Sequence, residues 1–333
     1  MNNILFCSAG RRCKLLKGIK DSFANMGNVI AIDCNPYTPA FSCVDKSYVV
    51  PPIEDPRYIT TLLNICKSEQ VRAITTLIDP EISLLANNRN LFETEQILPL
   101  LPSFETAQVC FDKYEMYKYL RKNDILTICT FNSLEDFKLA YNEGAISFPT
   151  FIKPIFGSGS IDARRVLSMN ELEFYMNSSG CQYIIQEFMT GDDCDVDVYV
   201  DCISHKAVSI FSKKKIETRI GGASKTMSFK DQKLFNIVQN IVDLFEFSGP
   251  IDMDFFYKDG EYYLSEINPR FGGAYIHAHA AGVDFVQLIL NNIEGITNQC
   301  KIGEYDENLV MMMYDDIIIK RRDDILLNHL DFI

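Results

Sequence analysis

Short apolar runs alternate with helically spaced stretches along the first hundred residues. "NILFC", "NVIAID" and "VRAITTLI" are continuous apolar runs of strand length, and "SYVV" reads as a further short strand. Between them "RRCKLLKGIKDSF", "PRYITTLLNICKSEQ" and "DPEISLLANNRNLFE" carry helical spacing, the last with Asp79 ahead of Pro80 at its start. Strands without polar alternation, separated by helices, predict a parallel sheet covered on both faces.

The period changes near residue 103. Ser103 caps one predicted helix, "DKYEMYKYLRKND" forms another, and "SLEDFKLAYNEG" (133–144) is a capped helix closed by Gly144. "TFIKPIFGSGS", "ARRVLS" and "QYIIQEFM" then surround a short helix from Asn170, which predicts a small α+β unit. From Gly191 strands dominate: "DVDVYVD", "KAVSIFSKKKI", "GPIDMDFFY" and "EYYLSEI", with a helix over 229–246 between them. "AHAAGVDFVQLILNNIEG" predicts one closing helix, and the last thirty residues a strand and a short helix. The expected division is 1–105, 106–188 and 189–333.

Composition narrows the class. A net charge of −13 over 333 residues argues against nucleic-acid binding through a basic surface. The eleven cysteines are scattered, show no C-x-x-C spacing and are odd in number, which points to reduced thiols. "HAH" at 277–279 has no cysteine at metal-ligand spacing, against structural zinc. No apolar run approaches the ~20 residues of a membrane span, and the N-terminal apolar stretch is too short for a signal peptide. The expectation is a soluble cytoplasmic protein.

Three stretches carry chemistry. "IKPIFGSGS" runs Lys153 into Gly157-Ser158-Gly159-Ser160, where small residues let backbone N–H groups approach phosphate oxygens; the plainer reading is a flexible hairpin tip. In "YIIQEFMTGDDCDVDVYVD", period two sets Asp193, Asp195, Asp197 and Asp201 on one strand face, and the last three read as a solvated acidic face. "GPIDMDFFYKDGEYYLSEINPR" has the form of a hairpin. With an odd connection centred on Asp259, Asp252 lies opposite Glu266, Asp254 sits diagonally, and Asn268 follows on the same face. Such an oxygen-rich cluster suits Mg²⁺ or Mn²⁺. Arg270 stands beside it to pair with a phosphoryl oxygen, and Gly272 and Gly273 open backbone N–H groups toward a ligand. The competing reading is a structural acid–arginine network.

In this order the pieces resemble the ATP-grasp superfamily, most closely the family similar to one half of the carbamoyl-phosphate synthase large subunit, with spaced matches to about residue 290. The resemblance implies an α/β ATP-grasp fold: a Rossmann-like pre-ATP-grasp domain, a small α+β lid and a larger α+β catalytic domain, with ATP clamped between two antiparallel sheets. It implies Lys113 and Lys153 on nucleotide phosphates, and Gly157 to Ser160 as a loop over them. Gln186, Glu187 and Phe188 become the adenine hinge. Asp193 takes the ribose, where the family has Glu. Asp254, Glu266 and Asn268 become metal ligands, and Arg270 with Lys153 acts on the transferred phosphate. The implied activity is an ADP-forming ligase that joins a carboxylate to an amine, or to a thiol, through an acyl phosphate.

The acceptor is less legible. "SAGRR" ends a strand and opens a helix, so Arg11 and Arg12 are candidates for a substrate carboxylate, or simply surface charges. Arg219 and Lys225 in "ETRIGGASK" are candidates for acceptor contacts, or a solvated loop. Alternative functions are a catalytically idle ATP-binding regulatory protein, or a carbamoyl-phosphate-synthase-like kinase activity within a larger complex. A nicotinamide dehydrogenase is disfavoured because G-x-G-x-x-G is missing. The expected partners are small molecules, with no nucleic acid or membrane, and a homodimer through the first domain.

Overall fold

Strands with no polar alternation need cover on both faces, and the first sheet has it. In the computed structural model, which describes all residues except 1, 158, 160, 179, 220, 221 and 328–333, this sheet is parallel throughout. It comprises β1 (Asn3–Cys7), β2 (Val29–Asp33), β3 (Lys46–Val49), β4 (Val71–Thr76) and β5 (Leu98–Pro99), in the order β3-β2-β1-β4-β5. Helices α1 (Cys13–Ser22), α2 (Tyr58–Ser68) and α3 (Asp79–Asn87) link the strands, and α4 (Arg89–Thr94) follows α3 after a break at Asn88. The strand order reverses between β1 and β4, which opens a crevice at their carboxyl ends. Ser8 and Gly10, both at φ 49°, turn the chain there so that Arg12 caps α1, and β4 delivers Asp79 to the first turn of α3.

Next come α5 (Phe104–Phe111) and α6 (Lys113–Lys122), capped by Ser103 and Asp112. The small antiparallel sheet, in the order β6-β9-β7-β8, contains β6 (Thr130–Phe131), β7 (Thr150–Pro154), β8 (Arg164–Val166) and β9 (Tyr183–Glu187). Together with α7 (Leu134–Asn142) and α8 (Met169–Ser178) it closes a core of its own around Phe137, Ile152 and Ile185.

The large sheet is antiparallel, in the order β14-β13-β10-β11-β12-β15. Its strands are β10 (Asp192–Val200), β11 (Ala207–Arg219), β12 (Gly222–Phe229), β13 (Gly249–Lys258), β14 (Glu261–Asn268) and β15 (Val310–Met312). On one face Val196, Val198, Ile251 and Met253 share a core with Leu234, Val238 and Ile241 of α9 (Gln232–Asp243). The other face carries the polar chemistry and lies against α10 (Tyr275–Ala280). There His277 packs its ring 5.0 Å from Phe211 and bonds Thr226 at 2.7 Å. The single closing helix expected here is in fact two, α10 and α11 (Phe285–Ile293), parted by Gly282 at φ 89° and restarted by Asp284 as cap. A final helix, α12, spans Arg322–Leu327. Among the described residues no helix is long and apolar enough to cross a membrane.

The β13–β14 hairpin also departs from expectation. Lys258 pairs with Glu261, so the turn is the two residues Asp259 and Gly260, at φ 53° and 84°, as a tight hairpin turn of this kind requires. Continued unbroken, that register would put Glu266 opposite Met253, on the apolar face. Instead the ladder slips by one between Asp254 and Phe255, with Ser265 as the extra residue, so Asp254 faces Glu266 and Asp252 faces Asn268. The bulge moves both polar side chains onto the acid face.

Candidate active site at the end of the long hairpin

β10 runs between β11 and β13, and its register decides which charges meet. Asp195 lies opposite Lys213 on one side and Asp254 on the other, and Asp197 lies opposite Asp252. The expected solvated acidic face is therefore overturned, because Asp195, Asp197 and Asp201 are only 5%, 1% and 0% exposed. Lys213, wholly buried, is what makes this tolerable: its ammonium lies 3.0 Å from Asp195 and pairs with Asp197. Burial holds Asp252 well above the carboxylate range, with Asp195 and Asp254 adding to the rise. Burial would raise Asp195 too, but Lys213 and a hydrogen bond with Asp252 hold it below its usual value. Asp201 belongs elsewhere, accepting from Asn292 and Asn298 at 2.7 and 2.9 Å in a structural role.

Asp254, Glu266 and Asn268 share the end of this face. The Lys215 ammonium sits 2.9 Å from Asp193 and 2.5 Å from Asp254, and Asn268 turns its amide nitrogen to the other Asp254 oxygen at 3.4 Å. From the first turn of α6, Lys113 donates to the Gly157 carbonyl at 2.6 Å and lies 3.5 Å from Glu266. Burial lowers the Lys153 ammonium below its usual value, against the pull of Glu266. Burial alone would raise Glu266, but Lys153, Lys113 and Arg270 together hold it below its ordinary range. Glu266 is thus an ionised carboxylate set among three cations.

Arg270 is anchored from two domains. Its Nε and Nη2 meet Asp79 at 2.9 and 3.1 Å, and Nη1 reaches Asp252 at 3.5 Å. Burial lowers its guanidinium, but Asp79 and Asp252 outweigh this and hold it above its usual value. Sequence reasoning placed Asp79 only as a helix start and missed it as a site residue. Lys213 and Lys215 were missed as well, although their i, i+2 spacing in "SKKKI" marks one strand face.

The turn after β14 comes close to this cluster. A Cβ on Gly272 would lie 2.6 Å from Asp252 Oδ1 and 2.7 Å from Asp197 Oδ1, and one on Gly273 would lie 3.0 Å from Arg12 Nη1. Arg12 is half-buried, and among the described residues its guanidinium makes no hydrogen bond or ion pair. Burial, then Arg270, holds it below its usual value, against the pull of Asp252 and Asp79. Arg12 is thus a cation facing the site with no direct hydrogen bond or ion pair among the described residues.

Other expected residues are not gathered here. Arg11 is exposed at the corner before α1. Arg219 and Lys225 are tied to Glu217 at 3.2 and 2.7 Å, so neither is drawn toward the hairpin end. Gln186 turns into the small sheet and donates to Thr130 at 2.8 Å, which removes its side chain from any nucleotide edge. Glu187 accepts from Lys258 at 2.9 Å where the small sheet meets the hairpin, and Phe188 lies under the Arg165 guanidinium of the small sheet at 4.7 Å. Gly157 and Gly159 take positive φ, 116° and 70°, while Ser158 and Ser160 lie outside the described residues.

Asp254, Glu266 and Asn268 offer oxygen alone, with no histidine or thiol among them, and that donor chemistry fits Mg²⁺ or Mn²⁺. Asn268 would have to present its oxygen in place of its nitrogen. Asp195, Asp197 and Asp252 also bring oxygens within 4.8 Å of one another, but the Lys213 ammonium already serves as their cation.

Residues 4–100 match a PylC-like N-terminal domain and residues 110–274 an ATP-grasp domain. The D-alanine–D-alanine ligase of Francisella tularensis subsp. novicida (strain U112) is 29% identical over 169 residues, covering 46% of this chain and 57% of that enzyme. The match thus spans little more than half of that relative's length. The N5-carboxyaminoimidazole synthetase of Staphylococcus aureus, solved with ADP, superposes with a TM-score of 0.73 at 14% identity, over 93% of this chain and 82% of that one. The biotin carboxylase domain of the Hydrogenobacter thermophilus 2-oxoglutarate carboxylase, solved with MgADP, ADP and bicarbonate, gives 0.71 at 13%, over 92% and 73%. The chain therefore carries an ATP-grasp domain behind a PylC-like N-terminal domain, in an α/β ATP-grasp fold with a parallel first sheet and antiparallel sheets after it.

Proposed function

We propose that this chain is an ATP-dependent, ADP-forming ligase that joins a small-molecule carboxylate to an amine by way of an acyl phosphate. One observation carries the reading: the bulged hairpin sets Asp254, Glu266 and Asn268 side by side, flanked by Lys113 and Arg270. Oxygen ligands for a divalent ion next to cations for a phosphate chain are the parts that phosphoryl transfer needs.

A carboxylate is a poor acyl donor because oxide is a poor leaving group. In the proposed reaction a carboxylate oxygen attacks the γ-phosphorus and ADP departs. The amine then attacks the acyl carbon, phosphate leaves with that oxygen, and the amine gives up a proton. Lys113 and Lys153 hold the phosphate chain, and Arg270, fixed by Asp79, meets the transferred group. Glu266, kept ionised by its three cations, Asp254 and Asn268 would hold the divalent ion, which neutralises charge on the β- and γ-phosphates. Glu187 and the Phe188 backbone border the adenine position, and Asp193 the ribose. Gly157 and Gly159 let their loop close over the phosphates, and Gly272 and Gly273 leave room for the acceptor. Arg12 receives the substrate carboxylate, because a half-buried guanidinium with no direct hydrogen bond or ion pair keeps its donors open to an anion.

The test is ADP release over a panel of carboxylate and amine pairs with Mg²⁺, amino acids first, followed by transfer of ¹⁸O from labelled carboxylate. One ¹⁸O in the released phosphate is expected. Release of AMP and pyrophosphate, or phosphate without label, contradicts the reading.

A further inference from the structure

Both oxygens of Asp254 face a donor, one closely and one loosely. Lys215 Nζ sits 2.5 Å from Oδ1, and the Asn268 amide nitrogen faces Oδ2 at 3.4 Å, a contact given up once Asn268 presents its oxygen. The same ammonium is 2.9 Å from Asp193, and the Lys215 side chain is only 12% exposed. Lys215 on β11 thus bridges carboxylates from β10 and β13 as a nearly buried cation. A Mg²⁺ ion needs its oxygens at ~2.1 Å, so it and the ammonium cannot share Asp254 Oδ1 without close repulsion. Asp193 gives Lys215 another anion to hold, one strand away, when Asp254 is taken from it.

Charge balance points the same way. Asp193, Asp254 and Glu266 are offset by Lys215, Lys113, Lys153 and Arg270, so the site offers a free dication little net attraction. A polyphosphate changes that balance, since it supplies oxygens to the ion and negative charge to the displaced ammonium. Resting on the ATP reading above, we infer that Lys215 is a resident cation that competes with the divalent ion for Asp254 and yields it when nucleotide and ion arrive together. Lys215 is a positioning residue here, and metal loading is coupled to nucleotide loading.

The experiment follows Mn²⁺ by the paramagnetic resonance of the free ion, with the full chain and without turnover. Wild-type protein is expected to retain little Mn²⁺ alone and much more with a nonhydrolysable ATP analogue. Lys215→Met should retain Mn²⁺ without nucleotide at least about tenfold more tightly than wild type, whereas Lys215→Arg, which keeps the charge, should stay near wild type. Equal Mn²⁺ affinity in wild type and Lys215→Met overturns the inference while leaving the ATP reading intact. If Lys215→Met does not fold, wild type alone decides, since equally tight Mn²⁺ retention with and without the analogue overturns the proposal. Retention of neither ion nor analogue, even together, overturns both.

Discussion

Lys213 pairs directly with both Asp195 and Asp197 where all three are buried, so its loss would leave Asp197 without its cation and Asp195 with only the more distant Lys215. Lys213→Met is expected to cost roughly 3–5 kcal/mol in urea unfolding, and adding Asp197→Asn should restore part of it. Unchanged stability in the single variant would show that the network carries no buried charge. His277 makes a pH prediction. Burial, helped by Lys213, lowers it to about 4, so it stays neutral in the fold while an unfolded histidine takes a proton near pH 6.5. Stability from this group is complete above pH 6.5 and is lost as pH falls toward 4, by roughly 3 kcal/mol in all. Asp197, raised to about 6 chiefly by burial, has the opposite sign over part of that range, so the comparison must be with His277→Gln. The loss of unfolding free energy from pH 7 to 4.5 should be smaller in that variant by most of this amount, and an unchanged difference would refute the assignment. At this scale the sequence was legible only where chemistry repeats locally. The acids of β10 and the hairpin stood out by period two, whereas nothing local in "KKK" names its partners on the neighbouring strand. Asp79 finds Arg270 across 191 positions, a pairing that no local pattern encodes.

At the level of the element, the hairpin owes its register to one bulge. The ladder steps past Ser265 and so keeps Glu266 opposite Asp254. Deleting Ser265 should give an unbroken ladder with Glu266 still opposite Asp254 and Asn268 opposite Asp252, and so retain Mg²⁺-dependent nucleotide binding in calorimetry. Binding lost in a folded deletion variant would contradict the account. Nothing in "YLSEIN" marks a bulge, which explains why the predicted register reached the right face with the wrong pairing. Strand parity was readable, but turn length and bulge position depend on how the whole sheet coils. The break between α10 and α11 was missed for a related reason. Gly282 sits inside an apolar pattern that runs on through it, and only its backbone conformation ends the helix.

For the whole molecule, the first domain contributes Asp79 and Arg12, the segment leading into the small sheet contributes Lys113, the small sheet contributes Lys153, and the large sheet supplies the acids. Lys258 to Glu187, and Thr127 beside Leu264, join the small sheet to the hairpin that carries Glu266. Ligands that bind across these units should stabilise all of them together. MgATP at a hundred times its dissociation constant is expected to add about 2.7 kcal/mol, seen as a higher melting temperature in wild type and as no shift in Glu266→Gln. An equal shift in that variant would mean that the nucleotide binds elsewhere. The parallel sheet and the antiparallel sheets after it were open to a reader of sequence because each stretch has its own period. The convergence of those parts on one point was implied by the resemblance and not by any single stretch. The most direct measurement is the anomalous scattering of Mn²⁺ in crystals grown with a nonhydrolysable ATP analogue. The account predicts a peak bonded to oxygens of Asp254, Glu266 and Asn268 and to the analogue's phosphates; a peak elsewhere, with those side chains turned from the nucleotide, would contradict it.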